Sequence, residues 1–346
     1  MCQRASTQPT TKELHTVACS LCGSEKHEHL LTKRGFNVVR CKACGLVYVN
    51  PRPGQAELTA TYRADSYFRA QVSTKDTHQF LARARERMHL IEEVLGRTGD
   101  LVDVGCSIGL FLHEAAKRGW KTYGIDVNDR AVHHARQTFG LDAAVGTWED
   151  TALKPHSFDV VTFFDSIEHV PNPTRALQKA WQVLKPGGVL VIRTPDIDGF
   201  LPRWTYSVLC RPFGIWEHPT PPDHLYEFSM ETITRLAEKA GFRVCQAATE
   251  NIPLGYTVSE LRSTIIDVVN RGLKRAVDHG HGVHPTRTAN RPVVRGKETR
   301  PRLALIRRIL RGALLIVCYA LILPPYLCGT LVGQGNETLI VARKMT

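Results

Sequence analysis

Four cysteines near the start of the chain have the spacing of ligands for one metal ion. They form two Cys-x2-Cys pairs, Cys19 with Cys22 and Cys41 with Cys44, and eighteen residues separate the pairs. This spacing is typical of zinc ribbons, and a glycine follows each pair where the turn needs relaxed backbone angles. Four thiolates complete a tetrahedral shell and leave no open position. The sequence therefore predicts a structural zinc site, with a redox pair or buried core cysteines as the alternative.

A glycine-containing loop after an apolar segment is the second candidate site. The sequence LVDVGCSIG turns between Gly105 and Gly109, and Asp126 ends the next apolar segment, twenty-one residues after Gly105. Glycines let backbone amides approach a ligand, and an acid at this position suits hydrogen bonds to ribose hydroxyls. NAD enzymes share these features, but the loop lacks G-x-G-x-x-G and Asp103 would repel a pyrophosphate. The pattern therefore indicates a nucleoside ligand other than NAD.

The elements that position this loop alternate regularly between strands and helices. The strand segments are short, apolar on both faces and separated by amphipathic patterns, which is typical of a parallel sheet covered by helices on both sides. A helix containing Phe80 and Leu95 should end near Gly96. The further predicted helices cover 110–118, 130–139, 174–184 and 230–240, and the predicted strands cover 101–104, 121–126, 143–145, 158–164, 189–193 and 243–248.

Together with the C-terminal strand, residues 99–250 resemble the class I S-adenosylmethionine (SAM)-dependent methyltransferases. DVGCSIG is similar to the family's D/E-x-G-x-G-x-G loop, with Ser107 in place of the middle glycine, and GTWED, FFDSIEHV, LKPGGVLVIRTP and GQGNETLIVARK match later motifs in order. The resemblance implies SAM as cofactor and a doubly wound, mainly parallel, seven-stranded Rossmann-like α/β sheet. It assigns the cofactor to Asp103, Gly105, Cys106, Ser107, Gly109, Asp126, Trp148, Glu149, Asp165 and Ser166.

The resemblance also implies roles within this site. Asp103 would face the ammonium of the methionine moiety, and the FFDSIEHV motif would lie beside the same moiety. Asp126 would hold the ribose, while Trp148 and Glu149 would flank the adenine. Because the sulfonium methyl group is already activated, the enzyme mainly orients donor and acceptor. A general base is needed only when the acceptor atom must lose a proton.

An aromatic-rich segment, 193–228, follows the fifth predicted strand. Seven of its thirty-six residues are aromatic, against 8% in the whole chain, so we expect it to cover a substrate, with simple packing on the sheet as the alternative. Its DHLYEFS sequence resembles zinc-ribbon methyltransferases that include deoxysugar C-methyltransferases, in which a Glu-His pair abstracts a proton. The resemblance implies His224 as general base and Asp223 as its neighbour, although Asp replaces Glu. His169 is a second candidate, and a packed structural histidine is the alternative.

The net charge of +12 is concentrated in one segment. Residues 271–311 hold twelve Lys or Arg and two acidic residues, whereas the cysteine-containing region 17–54 holds six and two. The charge therefore gives little support to a nucleic-acid partner. No charged residue occurs between 312 and 336, but we expect Pro324 and Pro325 to break a helix there. Residues 303–332 would lie at a membrane surface, pack on the domain or form a dimer contact. A full membrane span is disfavoured because the last strand must rejoin the sheet.

These patterns predict a cytoplasmic enzyme, and peripheral attachment to the inner face of a membrane is one of the alternatives for 303–332. The N-terminus lacks a signal sequence, and scattered cysteines indicate a reducing compartment. The predicted function is methyl transfer from SAM to a small-molecule, sugar or lipid-linked glycan acceptor, with O-methylation favoured over C-methylation. An RNA base methyltransferase with a zinc ribbon and a non-catalytic binding scaffold are the alternatives. The predicted segments are a tail (1–16), the zinc ribbon (17–54), a linking helical segment (55–98), the methyltransferase domain (99–250), a helical, basic and apolar insertion (251–335) and the last strand (336–346).

Overall fold

The computed structural model divides the chain into two compact units. It describes residues 14–64, 68–69, 72, 77–216, 218–255, 257–259, 261–266, 269 and 301–345. The first unit comprises Met1–Asp198, Pro219–Glu250 and Glu337–Thr346, and the second comprises Gly199–His218 and Asn251–Asn336. The predicted aromatic segment is therefore shared between the units. The expectations for the tail up to residue 13 and for the basic segment 271–300 lie outside the described residues.

The described elements follow the predicted alternation of strands and helices. Their ends lie within two residues of the predicted ends, except that one strand begins at Leu184 rather than Val189. The strands are β1 (Leu14–His15), β2 (His27–Lys33), β3 (Phe36–Cys41), β4 (Val47–Val49), β5 (Arg52–Pro53), β6 (Asp100–Val104), β7 (Lys121–Asp126), β8 (Ala143–Val145), β9 (Phe158–Phe164), β10 (Leu184–Pro195), β11 (Tyr226–Glu227), β12 (Phe242–Glu250) and β13 (Glu337–Lys344). The helices are α1 (Gln55–Tyr62), α2 (Thr77–Leu95), α3 (Leu110–Lys117), α4 (Asp129–Phe139), α5 (Pro173–Val183), α6 (Phe200–Thr205), α7 (Arg211–Phe213), α8 (Met230–Lys239) and α9 (Pro301–Leu331).

A seven-stranded sheet forms the centre of the first unit, in the order β12-β13-β10-β9-β6-β7-β8. Neighbours from β10 to β8 pair in parallel, and β13 is antiparallel to both β10 and β12. Successive residues of one strand enter opposite core layers: Val160 and Val191 pack on one face, Val161 and Leu190 on the other. Because both faces are covered, the central strands carry buried apolar residues on both faces. The predicted doubly wound, mainly parallel sheet is confirmed.

Side-chain caps fix where the helices of this unit begin. The Asn128 side chain accepts the Ala131 N–H at the start of α4, and the Asn172 side chain does the same for α5, directly before Pro173. Ser229 forms a capping box at the start of α8. These caps satisfy N–H groups that have no partner in the first helical turn. Asn128 comes two residues after the end of β7, so its cap fixes the start of α4 close to Asp126.

The N-terminal region forms a second, four-stranded sheet with the order β11-β4-β3-β2. All its pairs are antiparallel. One of its strands, β11, comes from more than 170 residues further along the chain. The sheet shares a hydrophobic core with α5 and α8, and Lys239 donates a hydrogen bond to the Leu21 carbonyl at 2.5 Å. The ribbon is therefore packed into the first unit rather than tethered to it.

The long helix α9 belongs to the second unit and corrects the prediction that the prolines break it. It runs for 31 residues with Pro324 and Pro325 inside. A proline removes one backbone hydrogen bond and crowds the preceding turn, but Cys318, Ile322 and Tyr326 pack into the core of the second unit on both sides of the break point. Tertiary packing therefore outweighs the local cost. By length and composition alone, Gly312–Leu331 could cross a membrane, with a mean hydropathy of 2.0 and 22% of the segment buried.

Candidate functional site

The loop after β6 is held against the end of β7 by backbone hydrogen bonds. The N–H groups of Gly105 and Cys106 both donate to the Ile125 carbonyl, at 2.8 and 3.1 Å. A Cβ atom on Gly105 would lie 2.8 Å from Cβ of Ser166, so only glycine fits this approach. Ser107, where the resembled loop has glycine, adopts a positive φ of 52°. The loop therefore keeps the left-handed geometry at this position despite the change of residue.

Asp126 at the end of β7 closes this loop. Its Oδ2 accepts the Ser107 N–H and its Oδ1 accepts the Asn128 N–H, each at 2.8 Å. Burial raises the pKa of Asp126, while these backbone N–H groups act in the opposite direction. A carboxylate oxygen has more than one acceptor site, so both oxygens can also receive hydroxyl groups. This geometry suits a ligand with two adjacent hydroxyls.

An open cleft of about 130 Å³ lies beside the loop and Asp126. Helix α1 supplies one wall, including Leu58 and Tyr62, and these residues carried no sequence signal because no motif includes them. Val170 and Pro171 contribute to the opposite side. The predicted cofactor residues that line the cleft are Gly105, Ser107, Asp126, Trp148, Glu149, Asp165 and Ser166.

Three other predicted cofactor residues do not line this cleft. Asp103 is buried, Thr162 donates to it at 2.6 Å, and burial raises its pKa to about 7. Cys106 is buried with its sulfur towards the backbone of Gly124. Gly109 precedes α3 with a φ of 83°. These residues shape the loop, and a direct contact between Asp103 and a cofactor stays a prediction.

Trp148 lines the cleft but is anchored in the protein core. Its indole N–H donates to the Ala176 carbonyl at 3.0 Å, and its ring meets Phe163 edge to face at 5.8 Å. Glu149, the next residue, is exposed. The turn therefore presents a fixed aromatic ring and an exposed carboxylate to the cleft.

Asp165, at the end of β9, is held by an arginine that the sequence patterns did not single out. Arg87 Nη2 donates to Asp165 Oδ2 at 2.9 Å, and the Arg87 guanidinium lies over the Phe164 ring at 4.2 Å. Burial raises the pKa of Asp165, but Arg87, Arg193 and Arg83 outweigh it and lower the pKa overall. Asp165 is therefore an ionised carboxylate in the cleft wall.

A cluster of histidines and carboxylates borders the cleft at His169. His224 Nδ1 lies 3.5 Å from Glu227 Oε1, so Glu227 rather than Asp223 faces this imidazole. The Asp223 carboxylate instead pairs with Arg34 at 3.2 Å. The Asp223 carbonyl lies 2.6 Å from His169 Nδ1. The structure thus brings the sequence-predicted His224 and His169 together, with ring centroids 4.9 Å apart, and Asp223 contributes through its backbone.

The two histidines have opposite electrostatic environments. Burial and neighbouring His224 lower the pKa of His169 to about 4. Burial also lowers the pKa of His224, but the carboxylates of Glu227, Glu168 and Asp223 outweigh it and raise the pKa to about 9. Neutral His169 donates from Nδ1 to the Asp223 carbonyl, which leaves an acceptor lone pair on Nε2.

The four predicted metal-binding cysteines converge on one point. Their sulfur atoms all lie within 4.8 Å of one another, with Cys19–Cys44 at 3.4 Å and Cys22–Cys41 at 3.5 Å. A tetrahedron with Zn–S bonds of about 2.3 Å has edges of roughly 3.8 Å, close to these separations. Burial raises the pKa of Cys41, but backbone N–H groups outweigh it and lower the pKa to about 7. Distances and donor set both fit the predicted zinc ribbon.

A protein-family comparison decides the assignment of the fold. Residues 74–247, half of the chain, match the model of a family described as a methyltransferase domain. The chain belongs to this family. The match covers the methyltransferase domain from α2 to β12, including the loop, Asp126 and the His169 turn.

The chain is also similar to several curated proteins. It is 29% identical over 146 residues to a probable S-adenosylmethionine-dependent methyltransferase of Mycolicibacterium smegmatis, covering 42% of this chain and 52% of that protein. It is 36% identical over 100 residues to a ubiquinone biosynthesis O-methyltransferase of Saccharophagus degradans, covering 27% and 42%. The chain thus spans about half the length of these relatives. A solved SAM-dependent methyltransferase of Archaeoglobus fulgidus is 15% identical, with a TM-score of 0.45 over 78% of this chain and 94% of that one.

Proposed function

We propose that this protein transfers the methyl group of SAM to a hydroxyl oxygen of a small-molecule, sugar or lipid-linked glycan acceptor. The observation that carries the proposal is the carboxylate of Asp126, fixed by two backbone N–H groups at the mouth of a glycine loop in a family of methyltransferase domains. SAM supplies a methyl group already activated by the sulfonium. The protein's contribution is then to orient two reactants.

The cleft residues supply the contacts that such a cofactor needs. Asp126 would receive the ribose hydroxyls, and the edge of Trp148 with Glu149 would border the adenine. Asp165 and Ser166 would lie beside the methionine moiety, where an ionised carboxylate attracts an ammonium group. Gly105 lets the backbone approach this ligand, since any side chain there would meet Ser166.

Oxygen is the favoured acceptor atom because imidazole groups, which can accept or donate a proton, border the cleft. His169 lines the cleft, with His224 beside it. We propose that His224 and Asp223 serve acceptor activation through His169. The Asp223 carbonyl fixes the His169 ring, and His224 packs against that ring. The relatives named ubiquinone biosynthesis O-methyltransferases are consistent with transfer to oxygen.

Labelled SAM tests the reaction. The purified full chain is incubated with methyl-labelled SAM and with separate soluble and lipid extracts, and mass spectrometry identifies labelled products. We expect a product that is absent when His224→Ala replaces the wild type, although this variant should still bind SAM in calorimetry. Absence of both SAM binding and labelled product would refute the proposed function.

We further propose that α9 attaches the protein peripherally to the inner, cytoplasmic face of an anionic membrane. One face of the helix is buried in the second unit, but Ile316, Leu327 and Leu331 are 71%, 50% and 86% exposed. The sequence just before this apolar face is strongly basic, a combination that suits anionic lipid.

Vesicle sedimentation tests this attachment. We expect the full chain to sediment with vesicles containing anionic lipid, and the double variant Leu327→Gln with Leu331→Gln to remain in the supernatant. Phe80→Gln is the matched control, because Phe80 is an exposed apolar residue outside α9. If wild type and double variant partition alike, α9 does not mediate membrane contact.

We also infer that the four-cysteine cluster holds one structural zinc ion. The zinc would fix the turns that carry Gly23 and Gly45, both at positive φ, and so the strands between them. A four-thiolate shell leaves no position for a substrate, so its contribution is to folding.

A further inference from the structure

The cluster beside the cleft has the composition of a second metal site. We propose that Glu168, His169 and His224 bind one divalent first-row transition metal ion. Each residue offers one ligand atom, and the three atoms lie within 4.8 Å of one another. One carboxylate oxygen and two imidazole nitrogens form a donor set that such ions prefer, and three protein ligands leave positions for a further molecule.

The surroundings of both imidazoles are those of metal-bound histidines. His169 Nδ1 lies 2.6 Å from the Asp223 carbonyl, and His224 Nδ1 lies 3.5 Å from Oε1 of Glu227, which is 3% exposed. An oxygen close to Nδ1 would orient each ring and leave Nε2 as the nitrogen for a metal. Two histidines with this arrangement converge on the same carboxylate, Glu168.

Glu168 is a buried carboxylate, and a nearby positive charge would stabilise its ionised form. It is 1% exposed, and Thr194 donates a hydrogen bond to its Oε2 at 2.9 Å. Within the described part of the chain, it forms no ion pair with lysine or arginine. Buried carboxylates are costly without a counter-charge. A divalent cation would balance the charges of Glu168 and Glu227 together.

The rival explanation is an ion pair without metal. A protonated His224 would face Glu227 and would supply one positive charge against two carboxylates. It would give His169 no part in the charge balance, although a ring nitrogen of His169 lies within 4.8 Å of ligand atoms of the other two residues. The metal explanation uses all three side chains, and the two explanations differ in whether the protein binds a cation there.

The role of the ion rests on the proposed function. His169 lines the cleft, so an ion at this cluster would border the acceptor. A hydroxyl bound to a divalent ion loses its proton more readily. The acceptor oxygen would release its proton to solvent and form a bond to the methyl carbon, while the carbon–sulfur bond breaks and its electron pair stays on sulfur. The products are the methyl ether and S-adenosylhomocysteine.

Manganese binding tests the site independently of the reaction. Mn²⁺ is added to the zinc-loaded full chain, and the loss of the free Mn²⁺ signal is followed by electron paramagnetic resonance. Mn²⁺ suits nitrogen and oxygen ligands and competes poorly for a four-thiolate site. We expect one Mn²⁺ per chain, and a loss of roughly 10- to 100-fold in affinity for Glu227→Gln, which removes only the charge beside His224.

Ligand substitutions complete the test. Glu168→Gln and His224→Ala should abolish Mn²⁺ binding, whereas His89→Ala, which removes an exposed histidine on α2, should leave it unchanged. SAM calorimetry on each variant shows whether the cleft is intact. Failure of wild type to bind Mn²⁺, Co²⁺ or Zn²⁺ beyond the ribbon zinc, or equal binding by the ligand variants, would overturn the site.

Turnover tests the role separately. A chelator is used to remove weakly bound metal while the ribbon keeps its zinc. We expect the rate of methyl transfer to fall at least tenfold and to return when Mn²⁺ is added. If the protein binds the metal but the rate of methyl transfer does not depend on it, the proposed role is wrong and the proposed site stands. Metal binding without any SAM binding would refute the proposed function and leave the site standing.

Discussion

Replacing Asp126 by asparagine perturbs the proposed cofactor site at its central contact. In the wild type both carboxylate oxygens accept backbone N–H groups, from Ser107 and Asn128, at 2.8 Å. Asparagine keeps one oxygen, so its amide nitrogen must face one of these N–H donors. The change therefore removes one acceptor for ribose and weakens the attachment of the loop at once.

The expected magnitude follows from these contacts. A hydrogen bond to a charged group contributes about 1.5–3 kcal/mol, so loss of one ribose contact should weaken SAM binding roughly 10- to 100-fold. The unsatisfied loop contact should cost a further ~1–3 kcal/mol of the free energy of unfolding. Asp126→Asn should thus lose affinity and also unfold at a lower temperature.

Isothermal calorimetry with SAM and thermal unfolding measure the two effects. Asp142→Asn is the matched control, because it makes the same change at an exposed acid before β8 and should alter neither quantity. SAM affinity of Asp126→Asn within threefold of wild type would refute the assignment of this carboxylate to the cofactor.

Three further changes test the fold that holds the site. Gly109→Ala would place Cβ 2.6 Å from one neighbouring side chain and 2.9 Å from another at a φ of +83°, so it should lower the free energy of unfolding by about 2–5 kcal/mol in urea. Gly119→Ala, at φ +85° with open space around it, should lose only the backbone part; equal losses would contradict the steric argument. Cys44→Ser should remove the ribbon zinc, as measured by elemental analysis, and Cys245→Ser should not; one zinc in both variants would exclude the four-cysteine site. Burial raises the pKa of Asp159, but its lysine, backbone and arginine partners outweigh it and lower the pKa from 3.8 to about 2, so about 2 kcal/mol of stability is present above pH ~4 and lost as the pH falls towards 2. Acid unfolding of Asp159→Asn should lack this component, and an unchanged pH profile would rule out the ion pairs as its source.

The parts of the site that the sequence could predict are those tied to local chain geometry. Gly105 and Asp126 follow directly from a strand–loop–helix pattern, because a close backbone approach needs glycine and the next strand must end beside it. The alternation of apolar strands with helices predicts the parallel sheet for the same reason. Each of these inferences uses neighbours in sequence or one repeating unit.

The parts that were missed depend on contacts between distant segments. Tyr62 lines the cleft and Arg87 pairs with Asp165 in its wall. Both lie on helices that precede the seven-stranded sheet, and no sequence spacing links them to the cleft motifs. Glu227 replaces Asp223 as the carboxylate beside His224. Its position is set by pairing of β11 with β4 rather than by adjacency along the chain.

That pairing makes the ribbon a poor candidate for exchange between relatives. Glu227 pairs with Val47 and Tyr226 with Tyr48, directly after the histidine of the proposed metal site. Consider a chimera that takes residues 17–54 from another protein but keeps 219–229. Its four-stranded sheet would combine strands from two different proteins. The ribbon and the segment 219–229 therefore form one structural unit that is discontinuous in sequence, and a chimera must take both from the same protein.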